Sequence, residues 1–240
     1  MNTSILRSVF VAAAFVASGN AVFAKDITAS TAPESISAST STLTWSPDVV
    51  GLFGAVSIAV GATAPATYGS PVLTSSTSTF SFDDTSNAIT ALTLNGGATL
   101  TLSSAGFAGG PGSVALNNLK LDITTKKVWA DVSGANGLAA GNYNIFDVGT
   151  IAGSTSFSGA GSYSTSASGL TLTSGGADLL LKGLGLASFV KGTLTSTPTY
   201  GALQFNTTVS VATVPEPTTW ALMLTGLAAV ATMARRRKEV

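Results

Sequence analysis

The chain has no cysteine and no histidine among its 240 residues. Without cysteine there can be no disulfide framework, no thiolate nucleophile and no thiolate metal site. Without histidine, the usual general base at neutral pH and the commonest transition-metal ligand are missing. Most hydrolase and metalloenzyme readings stop there. Charge is scarce as well: 9% of residues are Asp, Glu, Lys or Arg, against about 25% in an ordinary globular protein. A surface so poor in charge must be solvated by hydroxyls and backbone. That suits an extracellular or wall-associated β-rich protein and, in its simplest stretches, a loose linker.

The formal net charge is zero, with eleven basic and eleven acidic residues, but the balance comes from the ends. Between residues 25 and 213 six lysines face nine carboxylates, a net of −3. A mildly acidic body argues against nucleic acid as a partner, because phosphate binding needs a cationic face.

Residues 1–24 read as an export signal. Arg7 supplies the positive start, Val9 to Ala17 is an apolar run of signal-peptide length, and Val22-Phe23-Ala24 places small or modest residues before a cleavage point between Ala24 and Lys25. The run is shorter than the ~20 residues that span a bilayer. The Sec translocon and signal peptidase are the implied partners. Residues 25–41, rich in Ser, Thr and Ala and without an apolar period, read as a mobile mature N-terminus.

Residues 42–213 carry short alternating runs punctuated by Gly, Ser, Asn and Pro. Ile89 to Leu94, the turn residues Asn95-Gly96-Gly97 and Leu100 to Leu102 read as one hairpin. Leu119, Leu121 and Ile123, then Val128, Ala130 and Val132, read as another, with Lys120, Asp122, Trp129 and Asp131 on the opposite face. Further strands are expected over 143–151, 170–173 and 203–211, the last with a phase slip near Thr207 that marks a bulge. Gly51 and Gly54 weaken a helix over the apolar stretch 49–60. Ala177 to Leu186 predicts a short helix stopped by Gly183 or Gly185. The expectation is a mainly β single domain, an antiparallel sandwich or barrel-like sheet with one short helix, followed by a C-terminal transmembrane helix.

Residues 214–240 are of another kind. In Val214-Pro215-Glu216-Pro217 the two prolines bracket Glu216, hold the chain extended and have no N–H to donate to a sheet. Residues 218–234 are free of charge and contain Trp220, Leu222, Leu224, Leu227 and Val230, a helix of about 25 Å at 1.5 Å per residue. Trp220 suits a membrane interface, and Arg235, Arg236, Arg237 and Lys238 would hold the end in the cytoplasm. A Pro-Glu-Pro motif, an apolar helix and a basic tail, in that order, resemble the PEP-CTERM sorting signal. The resemblance implies that an exosortase, a membrane cysteine transpeptidase, recognises Pro215, Glu216 and Pro217. It also implies a transient inner-membrane anchor, and a body released to the cell surface or extracellular matrix of a Gram-negative bacterium, with exopolysaccharide as a further partner.

The body offers less. Asp83, Asp84 and Asn87 form its densest oxygen cluster, a weak calcium site or, by preference, a solvated turn. Asp122, Asp131 and Asp147 are the carboxylates a glycoside hydrolase would have to use. Trp45, Trp129, Tyr143, Tyr163 and Tyr200 could stack on sugars, and Trp129 stands out because it faces away from the apolar row. No catalytic residue, metal site or cofactor is assigned. A non-catalytic structural or adhesive matrix protein ranks first, a glycan-binding module second and an extracellular hydrolase third.

Overall fold

A computed structural model describes residues 24–29, 34–103, 111–212 and 222–227. Thirteen strands form one sheet in which every pairing is antiparallel. The strands are β1 (Ala24–Ile27), β2 (Glu34–Trp45), β3 (Ile58–Thr63), β4 (Thr67–Gly69), β5 (Val72–Ser75), β6 (Thr77–Asp83) and β7 (Ile89–Leu94). They continue as β8 (Gly97–Leu102), β9 (Gly112–Asp122), β10 (Lys127–Gly134), β11 (Gly141–Gly153), β12 (Gly161–Leu172) and β13 (Gly201–Val211). Three short helices interrupt them: α1 (Pro47–Ala55), α2 (Ser174–Leu184) and α3 (Val190–Ser196). The main path runs β1-β6-β7-β9-β10-β11-β12-β13-β2-β5-β4, and β8 carries β3 on a branch from β9. The mainly β, antiparallel expectation is met by a single open sheet instead of two stacked ones.

The sheet rolls up. Thr77 at the start of β6 meets β2 and β13 through side chains: Ser41 Oγ lies 2.7 Å and Thr207 Oγ1 3.0 Å from Thr77 Oγ1, and all three hydroxyls are buried. The Thr77 amide also donates to Ser39 Oγ at 2.9 Å. A strip of hydroxyls therefore joins parts of the sheet that no backbone ladder connects. Inside lies one continuous apolar core running from Ile27 to Val209. It contains two aromatic groups: Trp45 with Phe53, Phe146 and Tyr200, and Phe80 with Phe82, Phe157 and Tyr163.

Four local expectations are corrected. Residues 25–29 and 34–41, expected as part of a mobile N-terminus, are instead tied down: β1 pairs with β6, Ile27 is fully buried, and Lys25 Nζ sits 2.8 Å from Glu34 Oε2. Their period was hidden because this part of β2 turns Ile36 and the hydroxyl of Ser41 inward. The domain therefore begins before residue 42. Second, Pro47–Ala55 is helical despite Gly51 and Gly54. Ser46 caps it by accepting the Val49 amide, Pro47 occupies the first turn, and Val49 and Phe53 are buried. Both glycines face open space, so their propensity cost of about 1 kcal/mol each is offset by packing of Phe53 on Trp45 at 5.6 Å between ring centroids.

Third, Ile89–Leu94 and Gly97–Leu102 do not fold back on each other. Both pair antiparallel with β9, Thr93 opposite Lys120 and Gly97 opposite Asn117. They are one strand kinked at Asn95-Gly96, where Gly96 takes φ +73°. On β9 the matching irregularity is Asn118, with φ 50°, whose amide donates to Gly96 O at 2.7 Å. Fourth, the helix expected over 177–186 begins earlier: Thr173 accepts the Gly176 amide, and Gly185 ends α2 at φ 68°. Ala177, Leu180 and Leu184 are buried. At Gly183 a Cβ would fall 2.3 Å from Val114 Cγ2, which shows how closely α2 lies on β9.

The other expected strands are present, although the one expected over 170–173 runs from Gly161 to Leu172 and Thr173 caps α2 instead. Val128, Ala130 and Val132 are buried together, and the β13 irregularity falls between Thr208 and Val209.

Candidate functional site

Three adjacent strands, β9, β10 and β11, carry a cluster in which an aromatic ring and charged groups share the outer face. Because Val128, Ala130 and Val132 point inward, Lys127, Trp129 and Asp131 of β10 point outward. Registry with β9 and β11 arranges their neighbours in rows. In the first, Lys127 lies between Asp122 and Asp147. In the second, Trp129 lies between Lys120 and Asn144. In the third, Asp131 accepts from the side-chain amides of Asn118 and Asn142, each at 2.9 Å.

The local backbone builds this arrangement. Asp122 Oδ1 accepts the Thr125 amide at 2.9 Å and, with Lys126 at φ 54°, closes the β9–β10 turn. The positive φ of Asn118 arises at the sheet's fork, so the kink that divides the sheet also presents an amide to Asp131. A bulge between Val128 and Trp129 brings Asn144 opposite the indole. Lys120, Asp122, Trp129 and Asn142 line a shallow groove of about 260 Å³.

The electrostatics are those of a fixed acceptor. Hydrogen bonds from Asn142, then from Asn118, hold the Asp131 carboxyl below its ordinary pKa. A general acid needs the opposite shift. Lys120 and Lys127 form no ion pair among the described residues, where the pairs are Lys25–Glu34 and Lys191–Asp178.

The other aromatic candidates are occupied elsewhere. Trp45 is buried in the core. Tyr200 is buried and donates to Leu194 O at 2.8 Å, and burial pushes its hydroxyl pKa up. Tyr163 is buried and donates to Gly159 O at 2.7 Å. Tyr143, half-buried, donates to Ala139 O at 3.3 Å. The Asp83 cluster is a turn: Asp83 Oδ1 accepts the Thr85 and Ser86 amides at 2.8 Å each, which lowers its pKa. Among the described residues no group of three or more His, Cys, Asp or Glu could hold a metal ion. Sequence reasoning found Trp129 but missed Asn118 and Asn142, whose places depend on a kink and a bulge that alternation does not reveal.

At the ends, Ala24 and Lys25 lie in β1. Pro215, Glu216, Pro217, Trp220, Val230 and Arg235 to Lys238 fall outside the described residues. Residues 222–227 are helical, with Leu222, Leu224 and Leu227 exposed. Among the described residues no helix is long and apolar enough to cross a membrane.

An all-antiparallel β body followed by an exposed apolar helical segment defines a chain built in two parts, a folded domain and a tail. The tail is the part that comparison recognises: the PEP-CTERM protein-sorting motif matches residues 213–238. That motif supports an exosortase-sorted secreted protein. No curated protein and no solved structure matches it.

Proposed function

We propose that the β domain works outside the cell as a non-catalytic structural or adhesive component linked to exopolysaccharide. On this reading the signal peptide leaves after Ala24 through the Sec route. The helix at 218–234 holds the chain briefly in the inner membrane of a Gram-negative cell, and exosortase acts at Pro215, Glu216 and Pro217. The observation that carries the proposal is the sorting motif at residues 213–238. The charge-poor composition supports it, since hydroxyls solvate such a surface without attracting ions. The lowered Asp131 pKa speaks for a binding carboxylate over a proton donor. A glycan-binding module is the second reading, favoured by the outward Trp129.

Cell fractionation in the parent and in an exosortase-deleted strain tests the proposal. The expected result is surface or matrix protein in the parent and full-length, membrane-held protein in the deletion. Identical location and size in both would overturn it.

A further inference from the structure

We infer that the outer face of β9, β10 and β11 is a glycan platform, on which an uncharged pyranose ring stacks against Trp129 while Asp131 and Asn142 bind its hydroxyls. The inference gives a site and a ligand class to the exopolysaccharide link proposed above and rests on that reading for the polymer's origin.

Three observations converge on it. Trp129 is the one tryptophan of the folded domain outside the core; Trp45 is buried. A partly exposed indole offers apolar area with few rotatable bonds, and stacking on the apolar face of a sugar uses it directly. Its polar neighbours are fixed in advance: Asp131 is clamped at 2.9 Å by Asn118 and by Asn142. A preorganised carboxylate loses little entropy on accepting a hydrogen bond from a hydroxyl. Finally, the groove presents donors and acceptors side by side, with Lys120, in no ion pair among the described residues, next to Asp122 and Asn142. A sugar hydroxyl both donates and accepts, so a mixed set suits it.

Charge selects the ligand class. Around the indole stand three carboxylates, Asp122, Asp131 and Asp147, and two ammonium groups, Lys120 and Lys127. A polyuronate or a nucleic acid would meet the clamped Asp131 carboxylate, which forms no ion pair among the described residues. A protein partner would have to bury charges that protein interfaces exclude from their centres. An uncharged hexose polymer meets neither penalty.

The test is affinity electrophoresis of the full chain in mild detergent through gels containing dextran, a soluble β-glucan, galactomannan or polygalacturonate. Retardation by at least one uncharged polymer and none by polygalacturonate is expected. Trp129→Ala should weaken that retardation about tenfold, the scale of one lost stacking contact. Trp129→Tyr should restore part of it, and Asn142→Ala should weaken it by a smaller factor. Circular dichroism checks that each variant keeps its sheet. Absence of retardation by every uncharged polymer, equal retardation of Trp129→Ala, or stronger retardation by polygalacturonate would overturn the inference. These measurements use no exosortase, so a failure here leaves the sorting proposal standing. Unchanged sorting in the deletion strain likewise leaves the platform standing.

Discussion

The outer face of β9–β11 and the outer face of β12, β13 and β2 share one core and one alternation, yet they differ sharply in chemistry. The first carries two lysines, three aspartates and Trp129. The second has no charge over its central rows: Ser162, Ser164 and Ser168 of β12, Gln204 and Asn206 of β13, and Thr40 and Thr44 of β2. Its hydroxyls satisfy one another, as in the 2.9 Å bond from Ser164 to Asn206 Oδ1 and the 3.1 Å contact of Ser162 with Thr208. A groove of about 290 Å³ there is lined mostly by serine and threonine, with Asn206, Ala38 and Tyr163. The contrast separates two tasks. A self-paired hydroxyl face stays hydrated without attracting ions, whereas the β9–β11 face keeps unpaired donors beside a fixed acceptor.

Because both faces rest on the same core, the largest effect should come from a change that removes their common support. Phe146→Ala empties a site that is 1% exposed, between Trp45 and Tyr200. It should cost about 3–5 kcal/mol, read as a lower urea midpoint, with both faces lost in one transition. The hydroxyl seam comes next. Thr77→Val leaves the buried hydroxyls of Ser41 and Thr207 short of a partner and should cost about 1–3 kcal/mol. A change within error would mean that the seam does not hold the rolled sheet together.

Acid should distinguish the faces. The folded pKa of Asp131 is depressed, so its contribution is present above the unfolded value near 4 and is lost as pH falls through the folded one. Glu34 and Asp83 are depressed as well, Glu34 by the Lys25 ammonium and Asp83 by backbone amides. Urea midpoints measured from pH 6 to pH 2.5 should fall for the parent and fall less for Asp131→Asn. Superimposable curves would remove Asp131 from the account. The smallest effect belongs to the uncharged face: Ser164→Ala should shift stability by less than ~0.5 kcal/mol and leave retardation by glycans unchanged.

How much of this was legible in the sequence depended on whether side chains reported their own environment. Val128, Ala130 and Val132 did, because an apolar residue at every second position has one stable side. β1 and β2 as far as Ser41 did not, because Ser41 is buried by hydrogen bonding to Thr77, and serine gives no hydropathy signal. Asn95-Gly96 carried true turn chemistry, but the same positive φ that closes a hairpin also kinks a continuous strand. Only pairing with β9 decides between them. The glycines of α1 were weighed by propensity, and the burial of Phe53 against Trp45 overrode it. At the candidate site Trp129 was visible as an aromatic out of phase with the apolar row. Its ring of amides was not, since Asn118 and Asn142 reach Asp131 across strands.

The two-part character of the chain is tested most directly by the intact mass of the protein recovered from the extracellular matrix, with both termini mapped. The account predicts a mature form that begins at Lys25, retains the Lys25–Glu34 pair, and ends near Pro217 without the helix and basic tail. Extracellular protein that still carries Leu222 to Lys238, or that begins at Met1, would contradict it.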